Sequence, residues 1–312
     1  MRRYLIKRIF LAAGIIFAIS IITFIILNII PGDPVALMLG DLATPEAIAT
    51  LRKQMGLDRS LVAQYLSWIG QLITGNLGDS YFQKKPVIDL IRNAFYYTSR
   101  LALYSYIIAL VIGIISGVLA AVFRGTILDR VLMIIAIAGI SAPAFWVAII
   151  LQIYIALQFN IFPVSGVNSA IGYVLPSIAL GTRYAASIAR ITRTSMLEVI
   201  SQDYIKTARA KGLSPFRIIV VHALRNALLP IITVIGTDIG SLLAGAMLTE
   251  SVFNIPGIGK LLIDAINKRD LPIVQGTVMY IAIICVLIYL IVDILYAVID
   301  PRIKFIGDEN NG

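Results

Sequence analysis

The run IFLAAGIIFAISIITFIILNII fills residues 9–30, 22 positions without a charge. A helix rises 1.5 Å per residue, so roughly 20 apolar residues cross a hydrocarbon core of about 30 Å. Arg2, Arg3, Lys7 and Arg8 precede the run, and Pro31-Gly32-Asp33-Pro34 follows it. A cleavable signal has a shorter apolar core, about 7–15 residues, and a small-residue cleavage site. The run therefore reads as a retained transmembrane helix, and it sets the solvent in which the rest of the chain is read.

Working outward, five more segments are apolar and of membrane-crossing scale. They are Leu101–Phe123, Val131–Leu157 with Pro143, Val174–Ala189 with Arg183, Asn226–Thr249 with Asp238, and Gly276–Ile299 with Asp293. Composition agrees. The 312-residue chain is 59% hydrophobic and 14% charged, against about 45–50% and about 25% in soluble domains, and its mean hydropathy is +0.91. The expected class is an all-α integral membrane protein of six transmembrane helices. A net charge of +9 does not point to nucleic acid, because the basic residues lie between apolar runs instead of clustering on a soluble face. Lipid headgroups and the positive-inside bias explain them.

The connections give an orientation. Arg124 and Arg130 flank one short link, and residues 190–225 carry Arg190, Arg193, Lys206, Arg209, Lys211, Arg217 and Arg225 against Glu198 and Asp203. Residues 158–173 carry no Lys or Arg. Both termini, 124–130 and 190–225 are therefore expected in the cytoplasm. The loop at 31–100 also has seven Lys/Arg, but long loops cross largely regardless of charge. That outer loop is expected to be helical. Thr44-Pro45-Glu46 pairs an N-cap threonine with proline at the first helical position, and Gly56 is a stop. A second helix is expected from about Leu61 to Thr74, ahead of Gly75, and Pro86 opens a segment leading into the second membrane helix.

The stretch 190–225 is the most informative. Leu197, Ile200, Tyr204 and Ala208 recur at helical spacing and define one face. Gly212 supplies the left-handed residue that ends a helix. Ser214-Pro215 starts the next, serine as cap and proline first. Ala208, Ala210 and Gly212 leave the turn bare of bulk, so another protein surface can approach closely. From the residues alone this is equally a linker between two spans.

Chemistry is sparse. The lone Cys285 sits in an apolar run, so no disulfide forms within the chain and no thiolate metal site is expected. The lone His222 excludes a multi-histidine ligand set. There is no G-x-x-x-x-G-K-[ST] loop; Gly257-Ile258-Gly259-Lys260 has Asn254 and Leu261 where the motif needs glycine and serine or threonine. No cytoplasmic stretch is long enough for a nucleotide-binding domain, and no nucleophile elbow is present, so no catalytic residue is expected. Asp238 falls thirteenth of the 24 residues of its span, near the midplane, where a carboxylate costs at least about 2.5–3.5 kcal/mol and must face protein or water. It fits a translocation path or a structural hydrogen bond. Gly236, Gly240 and Ala244 make a small-residue packing stripe on the same helix. For Arg183 and Asp293, snorkelling or an ion pair suffices.

Asp203-Tyr204-Ile205-Lys206-Thr207-Ala208-Arg209-Ala210-Lys211-Gly212, followed by His222-Ala223-Leu224-Arg225-Asn226-Ala227-Leu228-Leu229-Pro230, resembles the cytoplasmic signature of ABC importer permeases of the dipeptide/oligopeptide/nickel branch. Pro31-Gly32-Asp33-Pro34, Gly56-Leu57-Asp58, Gly75-Asn76-Leu77-Gly78-Asp79-Ser80, Phe253-Asn254-Ile255-Pro256-Gly257-Ile258-Gly259 and Asp300-Pro301-Arg302 are similar to that branch too. Against the broad signature E-A-A-x3-G-x9-I-x-L-P, the chain keeps Ala208, Gly212 and Leu224 but has Lys206, Thr207, His222 and Arg225 at other fixed positions. Those departures argue against the sugar and phosphate branches.

The resemblance implies a non-catalytic bacterial inner-membrane subunit. It has an anchor helix at 1–30, an extracytoplasmic helical loop at 31–100, a five-helix permease core at 101–299 including the coupling segment 190–225, and a cytoplasmic tail at 300–312. It implies a homologous second permease, two ATPase subunits holding ATP and Mg, and an extracytoplasmic solute-binding protein. Tyr204, Thr207, Ala208, Arg209, Ala210, Gly212 and Leu213 would dock on an ATPase. The expected cargo is a di- or oligopeptide, with a nickel chelate in the same branch or a stand-alone secondary carrier using Asp238 as the alternatives.

Overall fold

Backbone satisfaction inside an apolar solvent forces helices, and the computed structural model of the chain is built from them. It describes residues 2–29, 33–40, 43–159 and 161–299. The elements are α1 (Arg2–Ile29), α2 (Pro34–Leu39), α3 (Pro45–Gln54), α4 (Leu61–Ile73), α5 (Val87–Val122), α6 (Ile127–Ser141), α7 (Ala144–Leu151), α8 (Val174–Ile200), α9 (Asp203–Ala210), α10 (Arg225–Val252), α11 (Ile258–Lys268) and α12 (Leu271–Ile299). Wider π-helical turns follow α7 at Gln152–Ala156 and precede α10 at Arg217–Leu224. The tail 300–312, Pro31-Gly32 and the surroundings of Gly240, Ala244 and Asp293 within their helices lie outside what the structure describes.

The chain divides into two compact units, one of residues up to Tyr97 together with Pro256 onward, the other Thr98–Ile255. In the first, α1 packs on α12 and α11 packs on α12. The loop helices start and stop where their caps require. Thr44 Oγ1 accepts the Ala47 N–H at 3.2 Å, and Gly56 follows α3 with φ +68°. Ser60 Oγ accepts from Ala63 N at 3.4 Å, and α4 ends before Gly75, φ +78°. Arg52 binds Asp33 at 2.6 Å.

Residues 79–86 are clamped by Asp270, just ahead of α12. Its buried carboxylate accepts from the Ser80 hydroxyl at 2.5 Å and from the Tyr81 and Phe82 N–H groups at 3.2 and 3.4 Å. Burial, and then the Asp270 charge, push the Tyr81 phenol up to about 12, so it stays protonated.

The second unit is organised around α8, which packs against α6, α7 and α10. Its buried face is mostly small: Pro176, Ser177, Ala179, Gly181, Ala185, Ala186, Ala189, Thr192 and Ser195. Apolar transfer drives little helix association in lipid, so close backbone approach must hold the helices together. Glycines permit it. A methyl group at Gly113 would lie 2.8 Å from the Ala185 carbonyl oxygen, and one at Gly117 2.5 Å from Thr192 Cβ.

The expected span Val131–Leu157 is not one rod. Its two halves, Ile127–Ser141 and Ala144–Ala156, meet at 105°. Pro143 has no N–H to donate and holds Ala142 in the extended region, ψ 127°, as a residue before proline must be. The expected span Val174–Ala189 is the start of a longer helix that continues through Arg190 and Arg193 to Ile200. Leu101–Phe123 is likewise the second part of α5, whose 36 residues reach about 54 Å. Among the described residues, apolar length alone marks three spans, within α1, α5 and α12, and a fourth if the bent pair is one crossing.

Candidate functional site

Three short-range signals shape the α8–α10 connection. Backbone direction changes after α8, where the Ser201 hydroxyl donates to Glu198 O at 2.7 Å. Then α9 runs for eight residues and is closed by paired backbone bonds, Gly212 N to Arg209 O at 3.0 Å and Leu213 N to Ala208 O at 3.3 Å. This is the double closure that wants glycine in the left-handed region, and Gly212 has φ +76°. Ser214 Oγ accepts from Arg217 N at 3.4 Å to start the next helix at Pro215.

The single face drawn through Leu197, Ile200, Tyr204 and Ala208 is corrected, because Ser201–Gln202 breaks the helix. Ile205 and Ala208 are the buried residues of α9. They join Ala121, Met196, Ile218, Ala223 and Ala227, with Leu197, Ile200 and Leu213 packed around them. Tyr204 instead remains 45% exposed, and its hydroxyl accepts from Asn226 Nδ2 at 3.0 Å. Thr207, Arg209, Ala210 and Gly212 are exposed, and the space beside Gly212 is open. The segment is thus a short helix with an apolar base fixed to its own unit and a small, polar upper side facing outward. Lys206 and Asp203 pair on that side at 2.8 Å with both side chains well exposed, a contact that contributes little to stability.

Beneath this connection lies an ion pair that the sequence did not reveal. Arg193 on α8 donates twice to Asp129 in the first turn of α6, Nε at 2.7 Å and one terminal nitrogen at 2.9 Å. Gly125 N donates to the same carboxylate at 2.9 Å. The Asp129 side chain is 5% exposed and that of Arg193 26%. Bidentate guanidinium–carboxylate geometry is the strong form of such a bond. Its partners are 64 residues apart, so no local spacing announces it.

Asp238 is half-buried on α10, within electrostatic reach of Arg183 on α8 and of Tyr106 on α5. Two groups read separately from the sequence are thus brought to one neighbourhood. Glu250, fully buried, accepts from the Thr98 hydroxyl at 2.5 Å. Gln152 Nε2 donates to Val164 O at 2.6 Å and Val252 O at 3.3 Å, fastening the loop after α7 to the end of α10. No group of three or more His, Cys, Asp or Glu side chains able to hold a metal occurs among the described residues.

Comparison with known proteins adds to this geometry. The chain is 40% identical to the dipeptide transport system permease protein DppB of Escherichia coli K12, covering 97% of this chain and 99% of that one. It is 40% identical, with the same coverage, to the di/tripeptide transport system permease protein DppB of Pseudomonas aeruginosa. It is 39% identical to the glutathione transport system permease protein GsiC of E. coli K12, covering 98% of this chain and all of that one. A solved chain of the inward-facing MetNI methionine ABC transporter superposes with a TM-score of 0.55 at 22% identity, over 68% of this chain and 97% of that chain. That likeness supports the fold. Residues 109–305 match the family described as binding-protein-dependent transport system inner membrane component, and residues 1–102 match its N-terminal companion. The chain belongs to this family of inner-membrane transport components.

Proposed function

We propose that the chain is a permease subunit of an ATP-driven importer of di- or oligopeptides, forming half of the translocation path. The observation that carries this is the 40% identity to a dipeptide permease over 97% of the chain. The relatives named for dipeptide, di/tripeptide and glutathione transport support a short-peptide cargo over a nickel chelate. Six crossings, with the bent α6–α7 pair, α8 and α10 among them, and α9 on the cytoplasmic side complete the proposed arrangement.

In this arrangement partner subunits bind ATP with Mg and hydrolyse the ATP, and a solute-binding protein delivers cargo to the opposite face. Tyr204, Thr207, Arg209, Ala210 and Gly212 form the exposed docking element, while Ala208 and Leu213 belong to the apolar base that holds it. The bare Gly212 turn lets a partner groove approach, while Ile205 and Ala208 root α9 in its own unit. A push on α9 is then passed to α8, and through Arg193 and Asp129 to α6. Asp238, within electrostatic reach of Arg183, is a polar point on the path suited to one charged end of a peptide.

The test is reconstitution of the chain with its co-purifying ATPases, second permease and binding protein in vesicles. ATP-dependent uptake of a dipeptide, with none by this chain alone, is expected. Uptake by this chain alone without ATP would indicate a secondary carrier, and uptake of nickel but of no peptide would refute the cargo.

A further inference from the structure

The first unit contains a cleft of about 290 Å³. The end of α1 (Phe24, Asn28), the end of α3 and the turn after it (Lys53 to Leu57, and Arg59), α4 (Gln64, Trp68, Gln71) and the start of α12 (Leu271, Gln275) line it. Lys53 and Arg59 bring two cations, and no carboxylate among the described residues lines it. The cleft lies where one end of each of two membrane-length helices meets, which is the depth of lipid headgroups.

The helix forming one wall is amphipathic in the direction a lipid requires. Its cleft side carries Gln64, Ser67, Trp68 and Gln71. Val62, Leu66, Ile69 and Ile73, at i, i+4, i+7 and i+11, form the other side, and Val62, Leu66 and Ile73 are 69%, 63% and 80% exposed. This stripe lies level with the apolar run of α1. The Tyr65 hydroxyl is 2.9 Å from Ser20 Oγ, and Ser20 precedes the end of α1 by nine residues, about 14 Å of helix. Phe24 fixes the level again, 5.3 Å from the Tyr65 ring and 6.1 Å from Trp68. Ile22, Ile25, Ile26 and Ile29 of α1 are exposed at the same level, so the stripe continues an apolar surface already facing the acyl region. Tyrosine and tryptophan beside it are the side chains that gather at membrane interfaces.

We propose that this cleft holds the phosphate of an anionic phospholipid headgroup, with Lys53 and Arg59 as its cations and α4 lying against the acyl chains. A lipid held there wedges the loop helices α3 and α4 onto the ends of α1 and α12.

The chain, purified from its native membrane with the partners it retains, is titrated with phosphatidylglycerol and with phosphatidylcholine, and bound lipid is counted by native mass spectrometry. One phosphatidylglycerol per copy is expected to be weakened about fivefold by Lys53→Gln or by Arg59→Gln and about 25-fold by both, following the worth of a basic residue near an anionic membrane surface. Equal binding to the double variant overturns the proposal. So does displacement by millimolar inorganic phosphate, which would mark a free-anion site. A nitroxide on Leu66→Cys, in a Cys285→Ser background in phosphatidylglycerol vesicles and read as the difference from Cys285→Ser alone, tests the stripe without touching the cleft. Collision with oxygen well above collision with an aqueous nickel chelate is expected. The reverse order places the stripe in water, and shielding from both places it under a protein; either overturns the proposal.

Discussion

Removing Arg193 exposes an asymmetry in how the two partners are buried. Asp129 is almost wholly enclosed, whereas about a quarter of the Arg193 side chain reaches the surface. Breaking a buried pair by deleting one partner costs about 3–5 kcal/mol, because the other charge is left uncompensated. Arg193→Ala leaves the enclosed carboxylate with one hydrogen bond, from the Gly125 N–H, and the more distant charge of Arg124, so about 3 kcal/mol is expected. Asp129→Ala leaves a guanidinium that can turn to water, and about 1–2 kcal/mol is expected. A double-mutant cycle should give a coupling of about 1.5–3 kcal/mol, within the range for residues in direct contact. The assay is equilibrium unfolding in mixed micelles for the two single variants and the double variant. In the reconstituted importer, Arg193→Ala should also lower peptide uptake per ATP hydrolysed. Asp129→Ala proving costlier than Arg193→Ala, or a coupling near zero, would refute the role given to burial.

Three further outcomes follow from the same geometry. Gly212→Ala should cost about 1 kcal/mol from the left-handed backbone, while Gly212→Arg should leave ATPase activity but abolish uptake; unchanged uptake removes the docking role. Gly117→Ala should destabilise by about 1–3 kcal/mol through overpacking, since its methyl would meet Thr192 at 2.5 Å, whereas Gly14→Ala, with open space around it, should be nearly silent in the same unfolding assay. Asp270→Asn weakens a charge-assisted acceptor of three bonds, so about 1.5–3 kcal/mol is expected, read as faster proteolysis between residues 79 and 86.

What the sequence made legible was local. Thr44-Pro45, Gly56, Gly75, Gly212 and Ser214-Pro215 act within a few residues, through caps and left-handed turns, and the structure places helix ends at each. The long apolar runs were legible for the same reason, since hydrophobic length needs no partner to be counted. The break at Pro143 was a readable residue whose consequence, a 105° bend, depends on what α8 packs against each half. Tyr204 was placed on the wrong side because helical spacing was carried through Ser201–Gln202, where the helix stops. Asp129–Arg193, Thr98–Glu250 and Ser80–Asp270 join residues 64, 152 and 190 positions apart, and no pattern along one chain announces such pairs. Gly113 and Gly117, four apart on α5, were the one long-range feature with a readable signal, the same small-residue spacing noticed on α10.

The most direct measurement is mass spectrometry of what co-purifies with this chain from its native membrane in mild detergent. The docking role proposed for α9 and the lack of a G-x-x-x-x-G-K-[ST] sequence predict a homologous permease together with P-loop ATPases. A chain that emerges alone, stays alone under gentler extraction and still moves substrate across a vesicle would contradict the importer reading.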